Sequence, residues 1–266
     1  MSEFVSSRRN QWVKQLLDAQ RGKGDWAEFC FPEGVKLCEE ARRADLKIEA
    51  VFSAVSLGWD VPEQYGDEST KRFVLSAELF SQISATKSPQ GLLLVCAKPQ
   101  WGEMSDLILT SRRESRDHLS ILVLESVQDP GNVGTMLRSA YALGFDACVL
   151  CGTSADPYQS KALRAAMGAA FHLPLYVQKE SSKIIEWCQS QGISVVAAAL
   201  NGVSLPDYKR DVRASLWIGN EGRGLSAEVL EQATTRLTIP MPGGAESLNA
   251  ASAAAILMYR LQEEVL

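Results

Sequence analysis

Asn132 and Arg138, Glu221, and Ser247 with Asn249 sit in three short segments of the second half of this chain. The segments read Asp129-Pro130-Gly131-Asn132-Val133-Gly134-Thr135-Met136-Leu137-Arg138, then Gly219-Asn220-Glu221-Gly222-Arg223-Gly224-Leu225-Ser226, then Ile239-Pro240-Met241-Pro242-Gly243-Gly244-Ala245-Glu246-Ser247-Leu248-Asn249. Each places an amide, a carboxylate, a hydroxyl or a guanidinium beside glycines, at the edge of an apolar run. Glycine lets a backbone approach a ligand closely, and a few polar groups then orient it. Three such segments in order point to one site assembled from distant loops. Such a set of groups suits binding, orientation and proton handling.

Other chemistries are disfavoured. Only two histidines exist, His118 and His172, and both lie away from the three segments. A Ser-His-Asp or Cys-His hydrolase would have to recruit one of them. The six cysteines show no zinc-type spacing, so no metal is expected. Cys148 and Cys151 form one CxxC, which reads as a pair of small buried side chains rather than a redox couple. The phosphate-cradling GxxxxGK[ST] is absent. Gly219, Gly222 and Gly224 have the reverse of the dinucleotide spacing GxGxxG.

The elements that must hold the segments follow from hydrophobic periodicity. A helix is predicted over 6–20, with Trp12, Val13, Leu16 and Leu17 on one stripe. Strands are predicted at 29–31, 48–55, 72–75 and 91–97, with helices at 33–43 and 76–84 and a loop over 57–70. After a charged linker the pattern restarts with the aliphatic run Ile121–Leu124, typical of a buried parallel strand. Helices are predicted at 131–143, 158–168, 181–191, 226–233 and 247–264, and strands at 147–150, 173–177, 193–199, 214–218 and 236–239. This alternation gives an α/β fold with a mostly parallel sheet behind a small N-terminal α/β domain. The expected division is 1–107, a linker over 108–118, and 119–266. All three segments then follow strands, at the sheet edge where parallel α/β folds bind ligands.

The chain has 266 residues, 46% of them hydrophobic and 22% charged, with a net charge of −5. That is no globally basic nucleic-acid binder, but charge can be local. The first 24 residues carry Arg8, Arg9, Lys14, Arg21 and Lys23 against Glu3 and Asp18. Scattered cysteines, no charged start before an apolar stretch and no run of membrane-span length lead us to expect a cytoplasmic protein without a membrane partner.

The three segments resemble the signature motifs of the SpoU (TrmH-type) RNA ribose 2′-O-methyltransferases, in the SPOUT class. The first matches through Arg138, Ala140 and Gly144, the second from Gly219 to Ser226, and the third from Ile239 to Asn249, leading into an alanine-rich helix. Asn10, Val13 and Lys14, then Phe29, Glu33 and Gly34, then Pro89-Gln90-Gly91, resemble the family's N-terminal RNA substrate-binding domain, a small ribosomal-protein-like fold.

The resemblance implies a deep trefoil knot in the C-terminal domain, S-adenosyl-L-methionine as cofactor, and methyl transfer in a homodimer. It implies catalytic roles for Asn132, Arg138, Glu221, Ser247 and Asn249. Gly219, Ile239 and Leu248 match cofactor-contacting positions. Asn220 and Met241 join that set, the first shaping the turn and the second packing. By residue type alone, Asn132 reads as a helix N-cap, Arg138 as a surface ion pair and Glu221 as a loop carboxylate that could hold Arg138 or a ribose hydroxyl. Arg8, Arg9 and Lys14 are candidate RNA phosphate contacts or a solvated helix face. The implied activity is methylation of a ribose 2′-hydroxyl in RNA, with ribosomal RNA favoured by the N-terminal domain. Transfer RNA is the alternative substrate, and a non-catalytic RNA-binding or ribosome-assembly protein the alternative class.

Overall fold

In the computed structural model, residues 2–57, 64–107 and 118–263 are described. The expected linker, apart from His118, and the last residue of the expected 247–264 helix lie outside them. So does part of the loop expected over 57–70. The chain divides into two compact units, Met1–Gln100 with Tyr158–Phe171, and Trp101–Pro157 with His172–Leu266.

The first unit is built on a five-stranded mixed sheet. Its elements are β1 (Glu3–Val5), α1 (Gln11–Ala19), β2 (Phe29–Cys30), α2 (Val35–Arg43), β3 (Ile48–Ala54), β4 (Lys71–Leu75), α3 (Ala77–Ile83) and β5 (Leu92–Ala97). The strand order is β1-β4-β3-β5-β2. β1, β4 and β3 run parallel, and β5 is antiparallel to both its neighbours. The helix predicted over 6–20 begins at Gln11, because the Asn10 side chain accepts from Trp12 N–H at 2.8 Å and caps it. Upstream of the cap the chain is a turn and then β1, whose burial rests on Val5 alone. Arg8 and Arg9 therefore stand in the turn, not on a helix face, while Lys14 is on α1; all three are exposed. The core gathers Val13 and Leu16 of α1 with Trp26, Phe52, Phe73 and Phe80.

The second unit is built on six parallel strands. In chain order these strands and the helices between and after them are β6 (Leu119–Glu125), α4 (Pro130–Ala142), β7 (Ala147–Cys151), α5 (Ser160–Ala166), α6 (Ala169–His172), β8 (Leu175–Gln178), α7 (Ser181–Ser190), β9 (Ser194–Ser204), β10 (Arg213–Ile218), α8 (Ala227–Gln232), β11 (Thr235–Thr238) and α9 (Ala250–Gln262), of which α5 and all of α6 but His172 fall in the first unit. The order is β11-β9-β10-β6-β7-β8, every pair parallel. Every position of β6 is buried, as a strand covered on both faces requires.

From β6 the chain works outward through β7 to β8, then crosses back and places β10 against the other side of β6. The two halves of the sheet therefore part between β6 and β10, and the cleft of this unit lies on the β10 side of that point, lined from β9, β10 and β11. The register pairs Ile218 with Leu124, so Gly219 follows one strand where Glu125 closes the other. The expected α/β fold with a mostly parallel sheet is present. β9 runs on to Ser204, beyond its predicted end, and the final helix starts at Ala250 rather than at 247.

Candidate active site

The tips of β6 and β10 are tied to each other by side chains. Ser126, just past β6, has φ 57°, a left-handed conformation that turns its carbonyl aside. That carbonyl accepts from Asn220 Nδ2 at 2.9 Å. Asn220 also folds its own loop. Its Oδ1 accepts from the amides of Gly222 and Arg223, both at 3.0 Å, and its backbone pairs with Gly224 in both directions. Gly219 is fixed by this folding, since a Cβ there would lie 2.2 Å from the carbonyl carbon of Gly224. The glycine is a packing requirement, whatever else the position does.

Glu221 at the top of the loop reaches over to the first segment. Its Oε1 accepts from Asp129 N–H at 3.1 Å and from Asn132 Nδ2 at 3.0 Å, and its Oε2 accepts from Gln128 N–H at 3.2 Å. Burial alone would raise the carboxyl's pKa. The hydrogen bonds from Asn132 and from backbone amides outweigh it, and the group sits below the ordinary value for Glu. Asn132 Oδ1 in turn accepts from Asn249 Nδ2 at 3.3 Å. Asn249 caps α9, its Oδ1 taking the amides of Ala251 and Ser252 at 2.9 and 3.2 Å. One line of side chains, Glu221–Asn132–Asn249, thus joins all three segments.

Two residue-type readings are corrected. Asn132 is not the N-cap of α4. Asp129 is, with Oδ1 accepting from Gly131 N–H at 2.7 Å and Pro130 at the first helical position. Nor does Glu221 hold Arg138. Arg138 is exposed on α4, and among the described residues its side chain has neither a hydrogen bond nor an ion pair.

Beside this line lies a cleft of about 570 Å³ in the C-terminal unit, within the usual ~300–1,000 Å³ of small-molecule sites. Gly219, Asn220, Glu221, Ile239, Met241, Ser247 and Leu248 all line it, whereas Asn132, Arg138 and Asn249 do not. Ser247 is exposed and unengaged among the described residues.

The sequence reading missed one wall, Ala198–Asn201 of β9. There β9 leaves its ladder with β11. Ala197 pairs with Arg236, but the next pairing is Val203 with Leu237, so five residues bow out opposite one peptide link. Gly202 permits it, because a Cβ there would lie 2.2 Å from the Arg236 carbonyl oxygen. The available signal was Leu200-Asn201-Gly202, a glycine inside a strand-like run, which marks a bulge.

The cleft fits S-adenosylmethionine. Ile218, Ile239, Leu248 and Leu257 supply apolar wall for a flat base, and the loop closed by Gly219 supplies backbone polar groups. Among the described residues no group of three or more His, Cys, Asp or Glu could hold a metal ion. No described helix is long and apolar enough to cross a membrane.

Known proteins resemble this chain in sequence and in fold. The chain is 33% identical over 261 residues to the 23S rRNA (guanosine(2553)-2'-O)-methyltransferase RlmP of Bacillus subtilis, spanning 97% of this chain and 98% of that one. The structure of an AdoMet-bound rRNA methyltransferase from Sinorhizobium meliloti matches with a TM-score of 0.84 and 26% identity, over 100% of this chain and 99% of the other. The structure of an RNA 2'-O ribose methyltransferase matches with a TM-score of 0.80 and 28% identity, over 99% and 100%. The model of the SpoU rRNA Methylase family covers residues 120–259, which hold β6 through α9 up to Tyr259 and all three loop segments. The chain therefore belongs to the SpoU rRNA methylase family.

Proposed function

We propose that this protein transfers a methyl group from S-adenosylmethionine to a ribose 2′-hydroxyl of RNA, and that its substrate is ribosomal RNA. The observation that carries the reading is the Glu221–Asn132–Asn249 line beside a cleft of cofactor size. The substrate assignment rests on the name of the Bacillus relative, a 23S rRNA methyltransferase that matches over nearly the whole of both chains.

The cofactor supplies an electrophilic methyl on a sulfonium, so the protein needs no covalent step. Its residues must position the ribose and polarise its hydroxyl, whose proton passes to water as the methyl is transferred and S-adenosylhomocysteine is left. Gly219, Ile239 and Leu248 hold the cofactor by backbone groups and apolar packing, with Asn220 shaping the loop and Met241 completing the wall. Glu221 stays ionised and fixes the Asn132 amide. Asn132 and Asn249 then present an oriented donor–acceptor pair beside Glu221, which lines the cleft. Ser247 adds a hydroxyl there.

Arg138 carries a guanidinium that no neighbour engages among the described residues, so it is available to RNA. An arginine remains protonated in ordinary surroundings. Its role is to anchor phosphate and polarise the 2′-hydroxyl. Arg8, Arg9 and Lys14, exposed on the N-terminal unit, are phosphate contacts of the RNA-binding part.

The active form is a homodimer. Ile256 and Tyr259 of α9 and Tyr141 of α4 are 42%, 55% and 40% exposed, on two helices that pack together. Such apolar exposure on adjacent elements suits a second copy. The C-terminal segment is threaded as a trefoil knot, and the protein works in the cytoplasm, where ribosomes are made.

The test is transfer of labelled methyl from S-adenosylmethionine to total RNA, followed by mapping of the modified nucleotide. A 2′-O-methyl group in ribosomal RNA is expected. Label in transfer RNA would replace the substrate assignment, and no label in any RNA would overturn the activity.

A further inference from the structure

Glu125 is a buried carboxylate, 7% exposed, and it takes no part in the line described above. It closes β6 directly beneath the glycine loop. Its Oε2 accepts from Ser226 N–H at 2.8 Å, and its Oε1 accepts from the Ser226 hydroxyl at 2.8 Å and the Ser181 hydroxyl at 2.5 Å. Ser226 is the N-cap of α8, its Oγ accepting from Val229 N–H. It is also the last residue of the loop that starts at Gly219.

The other end of the loop is held by the next residue of the same strand tip, the Ser126 carbonyl on Asn220 Nδ2. Glu125 and Ser126 therefore grip the loop at both ends, and Glu221 between them grips the chain beyond Ser126. A loop with three glycines, two of them exposed, has much conformational freedom to lose. Fixing its ends beforehand removes that cost from ligand binding. A carboxyl group suits the task, since its two oxygens accept from three donors on two separate elements at once.

We propose that Glu125 is a positioning residue for the cofactor loop: through Ser226 it holds Gly219–Leu225 in its binding-competent shape. It touches neither cofactor nor RNA. The proposal rests on the reading that this cleft takes S-adenosylmethionine.

The test compares Glu125→Ala, Glu125→Asp and Glu125→Gln in the full chain. The measurements are calorimetric binding of S-adenosylmethionine, methyl-transfer kinetics and amide exchange of residues 219–226. Glu125→Ala should raise both the dissociation constant and the KM for S-adenosylmethionine by about tenfold or more, with kcat at saturation within about threefold. A purely structural loss would lower the active fraction, and hence kcat, and leave KM in place. Glu125→Gln should recover most of the affinity, because its amide oxygen can take the Ser226 N–H while the hydroxyls turn to accept from its nitrogen. Glu125→Asp keeps the charge but withdraws it by one methylene from the Ser226 amide, so it should bind weakly and exchange fast at Ser226.

If Glu125→Ala does not fold, Glu125→Asp and Glu125→Gln decide. Native affinity in a folded alanine or aspartate variant overturns the proposal, as does a glutamine variant no better than aspartate. Gly219→Ala separates the two readings. Should it bind cofactor as well as the wild type, the cleft assignment fails, and loop exchange alone then judges the brace.

Discussion

Glu221 accepts a hydrogen bond from the Asn132 side chain at 3.0 Å, and the two residues lie 89 positions apart in the chain. The same carboxylate takes the amides of Gln128 and Asp129, so it sets both the Asn132 side chain and the backbone that leads into α4. The glycine loop after β10 and the turn after β6 are thereby one structure. Asn132 is then fixed from a second side by Asn249. An amide held at both its oxygen and its nitrogen has one orientation to offer a substrate.

Asp129 and Asn132 should separate stability from activity. Asp129 supplies the cap of α4, so Asp129→Ala should cost about 1 kcal/mol of stability. Asn132 lies inside the helix and is only partly buried, so Asn132→Ala should cost less in stability while depressing methyl transfer more. Denaturant unfolding and steady-state kinetics on the two variants check this. A larger stability loss for Asn132→Ala would return the capping role to Asn132.

The lowered pKa of Glu221 predicts the acid response of this corner of the protein. Burial opposes ionisation, but the hydrogen bonds from Asn132 and the loop amides favour the charged form more. With the folded pKa depressed, the stabilisation is present above the unfolded pKa of about 4.3 and is lost as pH falls through the folded value. Glu221→Gln should therefore be less stable than wild type near neutrality, and the difference should shrink on acidification. Unfolding measured from about pH 6 down to pH 3 tests it. A difference that grows toward low pH would contradict the assignment.

Strand and helix positions were legible because core-facing residues repeat at the period of each element, as Val133, Met136, Leu137 and Ala140 do along α4. The short β1 was not legible, since three residues with one buried side chain carry no period. The cap of α4 was readable but misassigned. Asp129-Pro130 is an N-cap followed by a proline at the first helical position, and Asn132, another residue type that caps helices, lies three residues further on in the first turn. The cleft wall at Ala198–Asn201 was obscured for another reason: pairing of β9 with β11 breaks across space, at a place where local sequence still reads as strand. Glu125 was invisible for the same kind of reason. One carboxylate at the end of an aliphatic run has no partner within reach in sequence; its donors come from positions 181 and 226.

The six cysteines are all free and buried, and their thiols should be inert in the folded protein. Burial pushes Cys38 and Cys148 far above the usual range and Cys188 up to about 11. The thiolate is the reactive form, so at pH 8 a disulfide reagent should meet almost none of it until the chain unfolds. Denatured protein should titrate all six at once. With the folded values of Cys38, Cys148 and Cys188 raised, the contribution of these three thiols to stability is intact below the unfolded pKa of about 8.5 and declines as pH rises from there towards the folded values. Rapid labelling of any cysteine in the native protein at pH 8 would show that its surroundings are more open than described.

Arg138→Ala should abolish methyl transfer while leaving fold and cofactor affinity nearly unchanged. The residue is exposed on α4, has no intramolecular partner among the described residues, and does not line the cleft. Its removal therefore strands no buried group and strips no cofactor wall. A group engaged only once RNA is in place lowers turnover without weakening cofactor binding. Arg138→Lys then asks what the guanidinium contributes. Lysine keeps the charge and loses the planar fork that matches phosphate in two places. If geometry is what matters, lysine should be nearly as inactive as alanine; if charge suffices, lysine should recover much of the rate. Calorimetry with S-adenosylhomocysteine, and single-turnover transfer on RNA already shown to be a substrate, give both readouts on the same preparation. Near-native turnover by the alanine variant would remove Arg138 from the reaction.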